Sequence, residues 1–432
     1  MTIHACVIQP YLKKPVPTEE GASFAVRDPE YQLNEAVNLT QAIARIEIIK
    51  AEIVPLSKQE PGTLLTKGHL ESWKDYIKAE EIDLVVVNYS LTPIQQRNLE
   101  RLWKTKVIDR TGLILEIFGA RANTKEGKLQ VELAALSFQR SRLVRSWTHL
   151  ERQRGGLGFV GGPGETQIEI DRRLISEKIN KLKEDLEKVR KTRKLQRKAR
   201  SDVPYPIVAL VGYTNAGKST LFNTMTGADV FAKDLLFATL DTTMRAVDLE
   251  SHLRVILSDT VGFISDLPTH LVAAFRATLE EVEEADIILH VRDIAHPQTE
   301  AEKTDVEYTL GQLGIEAHDN PKIIEVWNKI DLLDETERKR CQNVSERQDN
   351  IVALSALEDE GLDILRERLI KHFQKHFKTA KFTIDYKDGD VVSWIYDHCA
   401  VIKRDDQANG IFLEIRTLPA MIEQIKMKLE KE

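Results

Sequence analysis

The chain has 432 residues, of which 42% are apolar and 30% charged, and its formal net charge is −7. This length exceeds one ordinary hydrophobic core, so several domains are expected. The composition excludes a membrane-spanning protein, because no apolar run approaches the roughly 18 residues that a span needs. Cys6, Cys341 and Cys399 are too few and too far apart for a disulfide scaffold or a Cys-rich metal site. Since the amino terminus lacks a signal peptide's apolar stretch, we expect a cytoplasmic protein, and peripheral association with a membrane is compatible with this.

Residues 1–110 alternate strand-like runs, such as IDLVVVNY, with amphipathic segments, which predicts an α/β subdomain. Its last residues begin the sequence Asp109-Arg110-Thr111-Gly112, which fits the pattern D-x-x-G. Nucleotide-binding domains use this pattern after their phosphate-binding loop, and this copy precedes the loop described below. We therefore interpret it as structural.

Residues 111–200 are predicted to form a long helical hairpin, because two stretches carry apolar residues at heptad spacing. These residues are Leu129, Leu133, Leu136, Leu143, Trp147 and Leu150 in the first arm, and Ile175, Ile179, Leu182, Leu186 and Val189 in the second. Two such seams bury each other in an antiparallel pair. Between Arg140 and Arg200 there are 18 Lys or Arg against 8 Asp or Glu. This basic block indicates an element that faces a polyanion, with a solvated helix face as the alternative.

The hairpin tip, RQRGGLGFVGGPGETQ, contains the pattern G-x-G-x-x-G. A dinucleotide-binding loop with this pattern must follow a β-strand and open a helix, whereas this stretch joins two helical arms. The tip glycines can approach a partner's backbone closely. They are Gly155, Gly156, Gly158, Gly161, Gly162 and Gly164. The alternative interpretation is a connecting loop without a role.

Residues 206–376 are predicted to form a nucleotide-binding domain, with a mostly parallel sheet and helices on both faces. A short apolar strand, the pattern G-x-x-x-x-G-K-[ST] and a helix follow one another in the order that a phosphate-binding loop requires. The loop residues are Gly212, Tyr213, Thr214, Asn215, Ala216, Gly217, Lys218 and Ser219. Their backbone N–H groups would surround the phosphates. Lys218 would neutralise the β- and γ-phosphates, and the Ser219 hydroxyl would bind Mg²⁺.

Two further segments are expected at the γ-phosphate. Asp259-Thr260-Val261-Gly262 ends a strand, so that Asp259 would hold Mg²⁺ through water and the Gly262 N–H would contact the phosphate. The segment Phe237, Ala238, Thr239, Leu240 and Asp241 lies where the first switch loop belongs. We predict Thr239 as a second Mg²⁺ ligand, and Thr242 and Thr243 are the other candidates for this role. The alternative interpretation is that these Thr side chains only cap the loop. Lys218, Thr239 and Gly262 are the predicted catalytic residues.

Asn328-Lys329-Ile330-Asp331 indicates that the base is guanine. The Asp331 carboxylate can accept from both guanine N1–H and the exocyclic amino group, and adenine offers no such pair of donors. Ser355, Ala356 and Leu357 follow a later strand and suit a loop whose amides meet guanine O6. Phe263, directly after Gly262, replaces the Gln that orients the attacking water in Ras-like proteins. Slow intrinsic hydrolysis, accelerated by a partner, is therefore expected.

Residues 380–432 read as a strand, a helix, two strands and a closing helix, which predicts a small carboxy-terminal α/β domain. The fold class expected for the whole chain is therefore a multidomain α/β protein. It would consist of an amino-terminal α/β subdomain, the helical hairpin, a P-loop GTPase domain and this last domain.

Across residues 80–375 the sequence resembles the HflX family of translation-factor-class GTPases, above all in GPGETQIEIDRR at 162–173. The phosphate loop, FATLD, D-x-x-G and N-K-x-D carry the same resemblance. It implies a monomer on the 50S subunit, dissociation of stalled 70S ribosomes during stress and a ribosome-stimulated GTPase. The hairpin tip would contact 23S ribosomal RNA.

The sequence departs from the family's usual pattern at two positions. Thr242 follows FATLD where the family usually has Pro, and Thr66 stands in place of the first Gly of the family's Gly-x-Gly-Lys turn. Asn215 matches an Asn that holds K⁺ in some related GTPases, although Asn is also common in such loops for structural reasons. Two other functions share some of these features. One is an RNA-remodelling enzyme that uses ATP as well as GTP. The other is a metabolic P-loop kinase, against which N-K-x-D argues.

Overall fold

The computed structural model describes most of the chain. The described residues are 2–12, 28–122, 124–153, 167–200, 205–227, 243–250, 252–265, 281–318, 320–407 and 409–430. For the helical residues 143–153, 167, 168, 190 and 193–200 the backbone alone is described. The chain forms two compact units. The first holds the described residues up to Val189 together with Ile264 and Ser265, and the second holds the rest.

The amino-terminal part of the first unit is a parallel four-stranded sheet with the order β2-β1-β3-β4. Its strands are β1 (Ile3–Leu12), β2 (Ile46–Leu56), β3 (Leu84–Val87) and β4 (Lys106–Asp109). The helices are α1 (Pro29–Gln41), α2 (Lys67–Ala79), α3 (Pro93–Trp103) and α4 (Arg110–Arg121). The central strands β1 and β3 are apolar and buried, as parallel strands with covered faces are. The predicted α/β fold is confirmed.

Local capping fixes the ends of these helices. Thr92 and Gln95 form a reciprocal capping box at the start of α3. Asp109 caps α4, because its Oδ1 accepts from the Gly112 backbone N–H at 2.8 Å. The buried Asp109 carboxylate also pairs with Arg142 at 3.1 Å. The upstream D-x-x-G copy therefore has the structural role that its position in the chain predicts.

Two long helices, α5 (Lys125–Gln153) and α6 (Gln167–Arg200), follow in the same part of the chain. The predicted seams meet in one apolar cluster, which joins residues of both helices. It contains Leu133, Ile179, Leu182 and Leu186, with Leu129, Leu136 and Ile175 packed against them. The heptad prediction is thus confirmed for these positions. Val189 is half-buried and is not part of this cluster. Three other positions, Leu143, Trp147 and Leu150, lie where side chains are not described, and tip residues 154–166 lie outside the described residues.

The second unit contains a six-stranded sheet with the order β10-β9-β8-β5-β7-β6, in which only β6 is antiparallel to its neighbour. Its strands are β5 (Ile207–Gly212), β6 (Thr243–Glu250), β7 (Leu253–Asp259), β8 (Ile287–Asp293), β9 (Ile323–Asn328) and β10 (Ile351–Ala353). The described helices are α7 (Lys218–Thr226), α8 (Thr299–Gln312), α9 (Glu335–Arg347) and α10 (Leu362–Gln374). One apolar core joins strands β5 to β10 with α7 and α10. Since parallel strands end at the same edge of a sheet, the predicted site residues after β5, β7 and β9 converge there.

The carboxy-terminal part of this unit has the predicted order of elements. They are β11 (Lys378–Ile384), α11 (Gly389–His398), β12 (Ala400–Gln407), β13 (Gly410–Thr417) and α12 (Pro419–Glu430). The strands form an antiparallel sheet with β13 in the centre, and both helices contribute to its apolar core.

Cys6, Cys341 and Cys399 are buried free thiols. Among the helices of the described residues, none combines the length and the apolar character that a membrane crossing demands.

Candidate functional site

The predicted phosphate loop leaves β5 and enters α7 at Lys218, as the strand–loop–helix order requires. Gly217 has a left-handed φ of 91°, and a Cβ there would lie 2.2 Å from Asn328 Nδ2. Only glycine fits both conditions. Asn215 is exposed and also left-handed, with φ at 63°. Because Asn tolerates this conformation better than most residues, backbone geometry alone accounts for Asn at this position.

Lys218 is buried at the start of α7 and points back into the loop. Its ammonium group donates to the carbonyl oxygens of Gly212 at 3.0 Å and Tyr213 at 2.7 Å. Burial lowers the pKa of Lys218 to about 8, and the nearby Asp259 carboxylate opposes this shift. The cation is thus held at the loop, where phosphate oxygens would interact with it.

The Ser219 hydroxyl donates to Asp259 Oδ2 at 2.9 Å. This contact joins the first turn of α7 to the end of β7, and both atoms are of the hard oxygen type that Mg²⁺ prefers. The residues therefore fit the ion, which in such sites also takes phosphate oxygens and water as ligands. Among the described residues, no cluster of three or more His, Cys, Asp or Glu side chains forms a separate metal site.

The D-x-x-G segment packs directly on the phosphate loop. A Cβ on Gly262 would lie 2.9 Å from Thr214 Cγ2 and 3.1 Å from Lys218 Nζ, so glycine permits this close approach. Phe263 is buried, its N–H donates to Gly212 O at 3.0 Å, and its carbonyl accepts from Thr214 N–H at 2.7 Å. The sequence identified Phe263 only as an apolar replacement for Gln. The structure adds that its backbone fastens this segment to the loop.

Asn328 at the end of β9 connects three motifs. Its Nδ2 donates to Ala216 O at 2.8 Å, and its Oδ1 accepts from Ala356 N–H at 3.0 Å. Lys329 has a left-handed φ of 66°, and its ammonium group pairs with Asp293 at 2.7 Å. Sequence reasoning missed Asp293, although its place at the end of β8, beside Asn328 in the strand register, could have indicated it.

Thr214 Oγ1 and Asp331 Oδ1 are among the buried polar atoms at this edge that have no hydrogen-bond partner within the described part of the chain. Buried polar atoms are normally paired, so each fits a group that a ligand supplies. Leu357, on the loop with Ser355 and Ala356, is 74% exposed and offers an apolar surface to a flat base.

The structure brings together the predicted site residues of the phosphate loop, D-x-x-G, N-K-x-D and the later Ser-Ala-Leu loop. Other predicted residues lie outside the described residues. They are Phe237, Ala238, Thr239, Leu240, Asp241 and Thr242 of the expected switch loop, and the tip glycines Gly155, Gly156, Gly158, Gly161, Gly162 and Gly164.

The parallel-dominated sheet, the phosphate loop and the guanine motif define a P-loop GTPase, a class of enzyme that hydrolyses GTP. Four family models match the chain. They are GTP-binding GTPase N-terminal at residues 30–119, GTP-binding GTPase Middle Region at 121–200, 50S ribosome-binding GTPase at 207–329 and HflX C-terminal domain at 341–431.

Among curated relatives, GTPase HflX of Magnetococcus marinus is 47% identical and the match covers 93% of this chain and 91% of that protein. GTPase HflX of Escherichia coli is 44% identical over 82% of this chain and 83% of that protein. A GTP-binding protein from Sulfolobus solfataricus, solved in complex with GDP, matches with 23% identity and a TM-score of 0.44, over 86% of this chain and 98% of that one. The chain belongs to the HflX family of GTPases, as the sequence resemblance predicts.

Proposed function

We propose that this GTPase binds the 50S ribosomal subunit and the 70S ribosome, and that it dissociates stalled 70S particles during stress. The observation that carries the proposal is the helix α6, where the apolar seam is buried and the basic residues whose side chains are described are exposed. The family model that matches the GTPase domain is described as 50S ribosome-binding, which supports the same partner.

The exposed Lys and Arg side chains of α6 are of the type that contacts an RNA surface. Where side chains are described, the seam residues Ile179, Leu182 and Leu186 are buried. The basic residues there lie on the exposed face, and they are Arg172, Arg173, Lys178, Lys181, Lys183, Lys188 and Lys191. Lys and Arg side chains arranged in this way neutralise RNA phosphates with a strong dependence on salt. We infer that the arms give affinity and that the tip glycines contact 23S ribosomal RNA.

At the nucleotide, the loop amides and Lys218 would bind the phosphates, and Gly262 N–H would meet the γ-phosphate. Ser219 and Thr239 would hold Mg²⁺ directly and Asp259 through water. The ion would neutralise negative charge on the phosphates. At the base, Asp331 would accept hydrogen bonds from guanine. The hydrogen bonds of Asn328 with Ala216 and Ala356 join this part of the site to the phosphate loop.

Hydrolysis is proposed to be slow in the isolated protein, because the apolar Phe263 side chain cannot orient water. Ribosome binding would supply the missing alignment. If K⁺ acts through Asn215, replacement of K⁺ by Na⁺ lowers the rate in the wild type and not in Asn215→Ala. Equal rates in both salts would leave Asn215 with the backbone role that its left-handed conformation indicates. A monomer bound to the 50S subunit and a cytoplasmic location complete the proposal.

The direct test of ribosome dissociation is a sucrose-gradient profile of 70S particles with the protein and a non-hydrolysable GTP analogue. The proposal expects conversion of 70S particles to subunits, with far less conversion in GDP. Intact 70S particles under saturating protein and analogue would contradict it. An RNA-remodelling enzyme that uses ATP as well as GTP is the second candidate, and equal activity with the two nucleotides would favour it.

A further inference from the structure

The carboxylate of Asp293 lies at the nucleotide edge of the six-stranded sheet, outside every motif that the sequence analysis identified. Asp293 is the last residue of β8, and its partner in the strand register is Asn328 at the end of β9. Its side chain is only 15% exposed. Because carboxylates are rarely buried unless they are paired, the position of Asp293 requires a partner.

That partner is Lys329, the second residue of N-K-x-D. The Lys329 ammonium group lies 2.7 Å from Asp293 Oδ2, and the Lys329 side chain is 24% exposed. Asp293 Oδ1 is buried and has no hydrogen-bond partner within the described part of the chain. In that part, it is therefore Lys329 that compensates the charge of the carboxylate. Removal of one partner of such a pair leaves the other charge uncompensated.

The main chain fixes where the Lys329 side chain begins. The Ile294 N–H, next to Asp293, donates to the carbonyl oxygen of Asn328 at 3.1 Å. Lys329 itself has a left-handed φ of 66°, a conformation that a residue other than glycine keeps where its surroundings impose it. Its side chain is a flexible four-carbon stem. The stem takes one position when its far end is held, and Asp293 holds that end.

The turn that carries Lys329 adjoins the loop that is expected to meet the base. Asn328 Oδ1 accepts from the Ala356 N–H at 3.0 Å, which joins this turn to the Ser-Ala-Leu loop. Lys methylene groups cover apolar surface while the ammonium group keeps a polar partner. A stem that is fixed at both ends can therefore give a flat base a preformed apolar wall. A preformed contact costs less conformational entropy on binding.

We propose that Asp293 is a positioning residue for guanine nucleotides, because it holds the Lys329 ammonium group so that the methylene stem packs on the base. The inference rests on the proposed role of N-K-x-D at guanine. Asp293 acts through Lys329 and does not touch the nucleotide. Since GDP and GTP share the base on which the stem packs, Asp293 strengthens the binding of both nucleotides equally.

The first experiment is a double-mutant cycle on the full chain, measured by titration with fluorescent GDP. The variants are Asp293→Ala, Lys329→Met, which keeps an apolar stem without the ammonium group, and their combination. Each single substitution should raise the dissociation constant for GDP at least about fivefold. The combined variant should stay within about twofold of Lys329→Met, because Asp293 has no role without the ammonium group. Losses that multiply in the combined variant would overturn the proposal.

A second substitution, Asp293→Asn, separates positioning from folding. The amide has the shape of the carboxylate without its charge, so it preserves the packing and holds an ammonium group less firmly. It should raise the dissociation constant for GDP at least about threefold in the wild-type background, and should have no effect in the Lys329→Met background. Wild-type affinity in Asp293→Asn would overturn the proposal, since Lys329 would then not need the charge.

The matched control is Asp286→Ala. Asp286 directly precedes β8 at the opposite edge of the sheet, where its carboxylate accepts from the Ile207 N–H at 2.8 Å. This variant should keep its affinity for GDP within about twofold of the wild type, because the site is distant. Thermal melting of every sample checks the fold.

The last measurement is titration of the same variants with a non-hydrolysable GTP analogue. The analogue should lose as much affinity as GDP does, and a loss confined to the analogue would overturn the proposal, since it would place the effect at the γ-phosphate. Failure of the nucleotide site is recognised separately, because Asp331→Asn would then keep an unaltered base preference with Asp293 intact.

Discussion

The side chain of Asn328 donates to the carbonyl oxygen of Ala216 at 2.8 Å. This bond joins the guanine motif at the end of β9 to the phosphate loop after β5, and β8 separates the two strands in the sheet. With the roles proposed for the two motifs, base recognition and phosphate recognition would depend on this one arrangement. Gly217 leaves the space that this contact needs, because a Cβ there would lie 2.2 Å from Asn328 Nδ2.

Gly217→Ala should separate the two halves of the site. The new methyl group has to displace Asn328, and Ala in the left-handed conformation costs about 1–2 kcal/mol by itself. We expect the dissociation constant for GDP to rise at least about tenfold. Gly311→Ala in α8 is the matched control, since a Cβ there meets no atom within 4 Å. The measurement is fluorescent GDP titration of both variants, and equal affinities for GDP would contradict the steric argument.

Asp331→Asn should change the preferred base from guanine to xanthine. An amide donates where the carboxylate accepts, and the buried Oδ1 atom of Asp331 has no partner of its own within the described part of the chain. A polar site that loses its matched partner discriminates by about a hundredfold or more. Competition of GTP and XTP measures the preference. The control is Asp334→Asn, an exposed carboxylate that caps α9, and a preference for GTP retained by Asp331→Asn would remove Asp331 from base recognition.

Lys218→Ala and Ser219→Ala should each prevent productive binding of GTP with Mg²⁺ while the fold is kept. Charge-assisted contacts to phosphate are worth about 1.5–3 kcal/mol each, so we expect at least about a tenfold loss of affinity. Thr226→Ala serves as the control, because its hydroxyl donates within α7 to Phe222 O. Circular dichroism checks the fold, and titration with GTP at several Mg²⁺ concentrations checks the site. Normal GTPase activity with an unchanged Mg²⁺ requirement would show that another loop binds the phosphates.

Replacement of residues 155–164 by a short Gly-Ser link should leave affinity for GTP nearly unchanged and reduce dissociation of 70S particles sharply. The replaced stretch contains no Lys or Arg. Ribosome binding should therefore persist in weakened form, with a slope against the logarithm of salt concentration that changes by less than about one unit. GTP titration measures the affinity, and sucrose gradients measure the dissociation of 70S particles. Loss of GTP binding would restore the nucleotide interpretation of G-x-G-x-x-G, and full dissociating activity would make the glycines a passive connector.

The phosphate loop and the heptad seams could be predicted because each depends on residues close together in the chain. Strand, loop and helix stand within residues 207–226, and the seam of Ile179, Leu182 and Leu186 follows helical periodicity alone. The convergence of D-x-x-G and N-K-x-D on this loop also follows from parallel strands that end at one edge.

The buried hydrogen-bond network of Arg110, Glu35 and Ser265 could not be predicted in this way. Its hydrogen bonds join residues 75, 155 and 230 positions apart, and neither periodicity nor motif spacing reports contacts over such separations. The two backbone hydrogen bonds of Phe263 could not be predicted from the sequence either, because main-chain groups form them whatever the side chain. The ion pair of Lys329 with Asp293 depends on strand order, which places β8 beside β9.

Co-sedimentation with purified 50S subunits tests the central claim most directly. The protein is mixed with subunits in a non-hydrolysable GTP analogue, in GDP or without nucleotide, and the bound fraction is measured at two salt concentrations. The account predicts that the protein pellets with the subunits, most strongly in the analogue, and that higher salt weakens the complex. Absence of binding in all three nucleotide states, or binding that is equal in all three, would contradict a ribosome-binding GTPase whose nucleotide controls its partner.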